Sequence, residues 1–197
     1  MAPSSIPNLV GRTIEGTFEV LEVLGTGGYG VVFRAVDIHS PDQQQYAIKC
    51  MLKGAPHSRE RHVQCWERYI HLQVNDYPNI VRLHKTIDCG DFVCLVFDIV
   101  QGGDLFSHVT EKGTFYGNDE LVRTAFIQLI DAIAHCHSKG VYHRDLKLEN
   151  VLCSRDGSKM FLTDFGLAML GEWSSKIGVG SIFYMSPGKC YFIYLSR

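Results

Sequence analysis

The sequence contains no run of about 18 apolar residues, so no stretch reads as a membrane-spanning helix. The stretch from Met1 to Leu9 has neither a basic start nor an apolar core and does not read as a secretory signal. Neither sign of charge dominates, with 19 lysines and arginines against 21 aspartates and glutamates. The formal net charge is −2, so no strong field draws in nucleic acid or an anionic membrane, and neither is expected as a partner. The cysteines stand at 50, 65, 89, 94, 136, 153 and 190, an odd count with no CxxC or Cys/His finger spacing. Free thiols in a reducing compartment, cytoplasmic or nuclear, are the expectation. No GxxxxGK[ST] loop occurs either.

What is present is an average globular composition, 46% hydrophobic and 20% charged. The length suits one ordinary domain or one large incomplete one. Thr17 to Leu24 alternates well enough for a first strand. Gly25-Thr26-Gly27-Gly28-Tyr29-Gly30-Val31-Val32 then fits GxGxxGxV. Glycines let a phosphate approach backbone N–H groups that a side chain would block, and they allow positive φ. Alone, such a run is an ordinary turn. A dinucleotide-binding fold would start a helix inside it, whereas here the chain continues as the β-branched strand Val31 to Val36. That removes the dinucleotide oxidoreductase reading.

After the polar loop His39 to Gln45, Tyr46-Ala47-Ile48-Lys49-Cys50 reads as a strand with a half-buried lysine that needs a charged partner. The plain alternative is a snorkelling surface lysine. Ser58 to Val74 reads as a helix, Val81 to Leu83 and Phe92 to Phe97 as strands, and Leu105 to Glu111 as a helix capped by Asp104. Asn118 caps a long helix ending at Ser138, with Gly140 closing it. Its apolar residues (Leu121, Val122, Phe126, Ile127, Leu129, Ile130 and Ile133) lie nearly all round, which predicts burial on several sides. His135-Cys136-His137 is no metal site by spacing, because adjacent helical residues point to different sides. Val151-Leu152 and Lys159 to Leu162 form a short hairpin around Asp156-Gly157.

Tyr142-His143-Arg144-Asp145-Leu146-Lys147-Leu148-Glu149-Asn150 and then Thr163-Asp164-Phe165-Gly166 carry the strongest signal. HRDLKxxN followed by DFG resembles the catalytic core of the eukaryotic protein kinases, serine/threonine type. The YMSP spelling of Tyr184 to Pro187 resembles fungal members. The resemblance implies an α+β, bilobal fold: a small antiparallel β-rich lobe with one helix, and an incomplete, mainly helical second lobe. It places a flexible leader at 1–17, the kinase domain at 18–187 with lobes about 18–100 and 101–187, and an unmatched tail at 188–197.

The same resemblance implies ATP and Mg²⁺ as cofactors and a protein with a serine or threonine acceptor as substrate. Leu24, Gly25, Thr26, Gly27, Gly28, Tyr29, Gly30, Val31 and Val32 would cover the nucleotide, with Ala47 and Leu152 also against it. Lys49, 19 residues after Gly30, would grip the phosphates. Its partner would be Glu67, 18 residues on; Glu60 comes earlier than the usual layout. Backbone groups at Asp98 and Val100 would meet the adenine edge, with Phe97 behind it, and Asp104 would touch the ribose or a basic substrate. Asp145 would receive the acceptor hydroxyl proton, Lys147 would neutralise the moving phosphoryl group, and Asn150 and Asp164 would hold Mg²⁺. Ser181 would help position the acceptor. Ser174 and Ser175 are candidate phosphorylation sites for pairing with Arg144.

The resemblance stops after Pro187, where Gly188 stands for the glutamate of the APE motif. Leu148 replaces the common proline of HRDLKPEN. A truncated kinase domain is therefore expected, with apolar residues of the long helix left uncovered at ~1.5–3 kcal/mol each. A catalytically inactive nucleotide-binding or interaction module is the alternative on that ground.

Overall fold

The computed structural model describes residues 5–27, 30–171 and 179–185. They form an α+β chain that divides into two compact units, Met1–Gln64 with Arg82–Ile99, and Cys65–Val81 with Val100–Arg197.

The first unit is a six-stranded antiparallel sheet. Its strands are β1 (Thr13–Ile14), β2 (Phe18–Gly27), β3 (Gly30–Asp37), β4 (Gln45–Leu52), β5 (Leu83–Cys89) and β6 (Phe92–Asp98), in the order β1-β2-β3-β4-β6-β5. Alternation decides the buried face: Phe18, Val20, Phe33, Ala35, Ile48, Cys50, Ile87, Cys94 and Val96 make one core. Register runs Phe33↔Ile48 and Ile48↔Val96, which stacks these side chains across the central strands. β2 extends beyond the expected Leu24, through Gly25, Thr26 and Gly27, after two register shifts against β3. Gly28 and Tyr29 lie outside the described residues. Gly30 needs its missing side chain: its φ is +146°, and a Cβ there would collide with the Cys50 carbonyl.

The expected leader to residue 17 is corrected in its described part. Thr13–Ile14 pairs with Phe18–Glu19, and Val20 N donates to the Arg12 carbonyl at 2.9 Å. Ile14 is buried, and Ile6 and Leu9 pack on the same core. The prolines and serines that suggest a leader hide these apolar anchors.

Helix α1 (Arg59–Val74) contributes residues to both units, up to Gln64 in the first and from Cys65 in the second. The second unit also holds α2 (Leu105–Thr110), α3 (Asp119–Ser138) and the pairs β7 (Val141–Tyr142) with β10 (Met169–Leu170) and β8 (Val151–Cys153) with β9 (Met160–Leu162). Its core joins Ile70, Val74 and Ile80 to Ala132, Cys136, Val151, Leu162 and Phe165. These contacts explain why Cys65–Val81 groups here and not with the sheet. Both predicted caps are present: Leu121 N donates to Asn118 Oδ1 at 3.0 Å, and Ser107 N donates to Asp104 Oδ1 at 2.7 Å. Gly140 follows α3 at φ +70°.

The all-round apolar pattern of α3 is covered on one face only, and the rest stays open as expected for the incomplete domain. The helix buries Ala125, Ala132 and Cys136, and leaves Val122, Phe126, Ile127 and Ile130 exposed. Small residues let it sit close to β9 and β7, and the larger ones face away from that contact. His135 stacks on Tyr77 and His137 packs by Tyr142 while Cys136 enters the core, so the three diverge.

Candidate functional site

In the second unit the site is built on the loop that leaves β7. Asp145 lies at its centre and is almost fully buried. Its Oδ1 accepts from Ser181 N at 2.7 Å and from Ser181 Oγ at 2.8 Å. Its Oδ2 accepts from Lys147 Nζ at 3.1 Å and from Asn150 Nδ2 at 3.2 Å. Burial alone would raise this carboxyl, but the hydrogen bonds from Ser181 and Lys147 outweigh it and hold the pKa below the ordinary carboxylate value. Lys147 is opposed by burial too, yet Asp145, Glu149 and Asp164 raise it, so it stays charged. Its Nζ also donates to Ser181 Oγ at 3.1 Å. Asp145, Lys147 and Ser181 thus form a closed triangle of charge-assisted hydrogen bonds.

Backbone devices hold this arrangement. His143 is buried, which keeps its ring neutral, against the pull of the Thr163 carbonyl and nearby carboxylates. A neutral ring suits its partners: Nε2 donates to the Thr163 carbonyl at 2.9 Å, and Nδ1 accepts from Asp145 N at 3.3 Å. Gly180 has φ +111°, and a Cβ there would come within 2.5 Å of the Arg144 carbonyl. Glycine is what lets the chain carrying Ser181 approach Asp145. Arg144 itself sits at φ +69°, and its Nη1 lies 3.3 Å from Met169 Sδ.

Asn150 gives its amide nitrogen to the Asp145 carbonyl at 2.9 Å as well, so the atom it can offer a cation is Oδ1. Thr163 N donates to the Asn150 carbonyl at 3.0 Å, which starts Asp164 beside Asn150. Asp164 takes a left-handed conformation, φ 61° and ψ 74°, of the kind that costs ~1–3 kcal/mol and persists where the surroundings enforce it. The enforcement comes from Phe165, which is fully buried and meets His71 and His143 edge-on at 4.9 Å each. One carboxylate and one amide oxygen suit Mg²⁺, which takes few protein ligands and completes its shell with phosphates and water.

The other predicted positions of this unit are placed as follows. Glu67 is buried, and its Oε2 lies 3.5 Å from where a Cβ on Gly166 would stand. Asp104 caps α2 and bridges Leu152 through the backbone, so both sit at the start of that helix. Val100 is half-buried. Ser174 and Ser175 lie outside the described residues, as does the chain beyond Met185.

In the first unit, Lys49 lies opposite Val32 on one side and Leu95 on the other. Ala47 faces Phe97, which is buried, and Asp98 ends β6 with its carboxylate 2.6 Å from His84 Nε2. Leu24, Gly25, Thr26 and Gly27 are exposed along the end of β2, and Val31 and Val32 answer them on β3. Reading the sequence did not assign roles to His143 or Gly180. The motif spelling contains the histidine, but its tautomer and the close approach at Gly180 appear only in three dimensions.

Comparison with known proteins decides the family. The protein kinase domain family matches residues 18–189. The chain belongs to the protein kinase family. Among curated relatives, this kinase chain is 40% identical over 179 residues to the "Negative regulator of sexual conjugation and meiosis" of Schizosaccharomyces pombe, covering 91% of the chain and 38% of that protein. It is 36% identical over 177 residues to CBL-interacting serine/threonine-protein kinase 17 of Arabidopsis thaliana, covering 87% and 40%. It is 37% identical over 174 residues to ribosomal protein S6 kinase alpha-3 of Mus musculus, covering 86% and 23%. The kinase chain therefore spans less than half the length of the curated relatives it matches.

Proposed function

We propose that this chain carries the phosphoryl-transfer centre of a serine/threonine protein kinase, moving the γ-phosphate of ATP to a protein hydroxyl. The observation that carries the reading is Asp145, an ionised carboxylate held by Ser181, Lys147 and Asn150. A carboxylate so fixed can orient an acceptor hydroxyl and take its proton as the new P–O bond forms. Lys147, charged and 3.1 Å from Asp145 Oδ2, would offset negative charge on the phosphoryl oxygens in flight. Its presence beside the catalytic carboxylate favours serine or threonine over tyrosine as acceptor.

Asn150 and Asp164 would hold Mg²⁺, and the bound ion would neutralise the polyphosphate. In the first unit, Leu24 to Val32, Ala47 and Lys49 are assigned to the nucleotide, with Asp98 meeting the adenine. In the second, Glu67, Val100, Asp104 and Leu152 complete the assignment. Glu67 is the partner proposed for Lys49, and its burial fits a carboxylate that serves a lysine rather than solvent.

Transfer of labelled γ-phosphate from Mg²⁺-ATP to a generic protein substrate, abolished by Asp164→Asn, is the expected result. Nucleotide binding without any transfer by the unaltered chain would overturn the catalytic reading and leave an inactive nucleotide-binding module.

A further inference from the structure

The first unit contains three thiols that phosphoryl transfer does not use. Cys50 on β4 and Cys94 on β6 are register partners, both buried, with their sulfurs 3.0 Å apart. Cys89, at the end of β5, puts its sulfur 4.0 Å from that of Cys94 and is half-buried. Cys89 and Cys94 also line a cavity of about 270 Å³, together with Leu9, Ile14, Ile87 and Phe92. A water's share of liquid volume is about 30 Å³, so a small hydroperoxide has room there. Among the described residues, no group of three His, Cys, Asp or Glu could hold a metal ion, which turns the reading from metal to redox chemistry.

We propose that Cys89, Cys94 and Cys50 form a thiol relay that turns oxidation by a hydroperoxide at the cavity into a Cys50–Cys94 disulfide across β4 and β6. In the first step the Cys89 thiolate attacks a peroxide oxygen. The O–O bond breaks, Cys89 becomes a sulfenic acid, and the leaving alkoxide takes the thiol proton as an alcohol (water, for hydrogen peroxide). Cys94 sulfur then attacks the Cys89 sulfur. The S–O bond breaks, hydroxide leaves with the Cys94 proton as water, and a Cys89–Cys94 disulfide forms. Finally Cys50 attacks Cys94 and displaces Cys89, which regains a proton from Cys50. The net change is two thiols and one hydroperoxide to one disulfide, one alcohol and one water.

The geometry sets the direction. Cys50 and Cys94 are directly opposed and their sulfurs already lie 3.0 Å apart, so the final bond asks for only a short closure between β4 and β6. Burial, with Cys94 and the carboxylates of Glu15 and Asp88 nearby, pushes the Cys89 thiol up to about 12. Those carboxylates are themselves paired, Glu15 with Lys85 and Asp88 with Lys53. The thiolate fraction at neutral pH is small, so the first step is slow and answers to sustained oxidant. The bond would clamp β4 one residue from Lys49. The relay lies wholly within the first unit and stands apart from the phosphoryl-transfer reading.

The test treats the reduced 197-residue chain with hydrogen peroxide, blocks remaining thiols under denaturing conditions, and maps the peptides without reduction. A Cys50–Cys94 crosslink is expected as the main product, forming at least tenfold more slowly in Cys89→Ser. Should Cys89→Ser fail to fold, Cys94→Ala decides. There the relay is interrupted, and Cys89 should accumulate as a sulfenic acid trapped by dimedone. No Cys50–Cys94 crosslink in the folded chain, an undiminished rate in Cys89→Ser, or no dimedone adduct at Cys89 in Cys94→Ala would each overturn the relay.

Discussion

Among the groups that hold down the pKa of the central carboxylate, one serine contributes most. Ser181 gives Asp145 two hydrogen bonds, one from its backbone and one from its hydroxyl. Ser181→Ala removes the second, so the Asp145 pKa rises toward the ordinary carboxylate value. Activity that needs the ionised form is lost as pH falls through that pKa. The acid limb of the kcat/KM profile should therefore move to higher pH in the variant, and an unmoved limb would show that the hydroxyl does not tune Asp145. Stability follows the same sign. The depressed pKa contributes stability above the ordinary carboxylate range, and it is lost as pH falls through the folded value. Asp145, Lys147, Asn150 and Asp164 were legible in the sequence because motif spacing names them one by one. His143 and Gly180 were not, since their parts are a tautomer fixed by the Thr163 carbonyl and a close approach to Arg144. The motif spelling contains the histidine, but residue order does not show what either residue does.

Among the elements, the helices announced themselves by their caps. Asn118 closes one free N–H of α3, and Asn118→Ala should cost about 1 kcal/mol in denaturant unfolding, while Asn118→Gly should cost only a few tenths. No measurable loss in Asn118→Ala would mean the cap bond carries little. α3 has apolar residues all round, of which Val122, Phe126, Ile127 and Ile130 are uncovered as expected; what the pattern did not show is that the contact face is made by Ala125, Ala132 and Cys136. Gln128 adds a polar tie that no hydrophobic pattern reveals: its Oε1 accepts from Met160 N at 3.0 Å and from Asn79 Nδ2 at 2.9 Å. β2, β3, β4 and β6 were legible from alternation and glycine placement, but β5 runs Leu83–Cys89 instead of the expected Val81 to Leu83, and the pair of β7 with β10 was not read. The short β1 was not legible either, because two residues give no period.

For the molecule as a whole, the sequence pointed to the family through motifs in a fixed order, and the matched span of residues 18–189 agrees with it. The grouping of Cys65–Val81 with the later part of the chain was not legible. It follows from which core Ile70, Val74 and Ile80 enter, a matter of tertiary packing. If the chain binds nucleotide as proposed, Mg²⁺-ATP at a hundred times its Kd should stabilise it by about 2.7 kcal/mol, read as a rise in Tm. A Tm unmoved by saturating Mg²⁺-ATP would contradict nucleotide binding. The central claim, that Asp145 is the group around which phosphoryl transfer is organised, is tested most directly by measuring γ-phosphate transfer for the unaltered chain and for Asp145→Ala side by side. The account predicts a loss of ~10²–10⁴ in turnover; a loss of less than tenfold would contradict it.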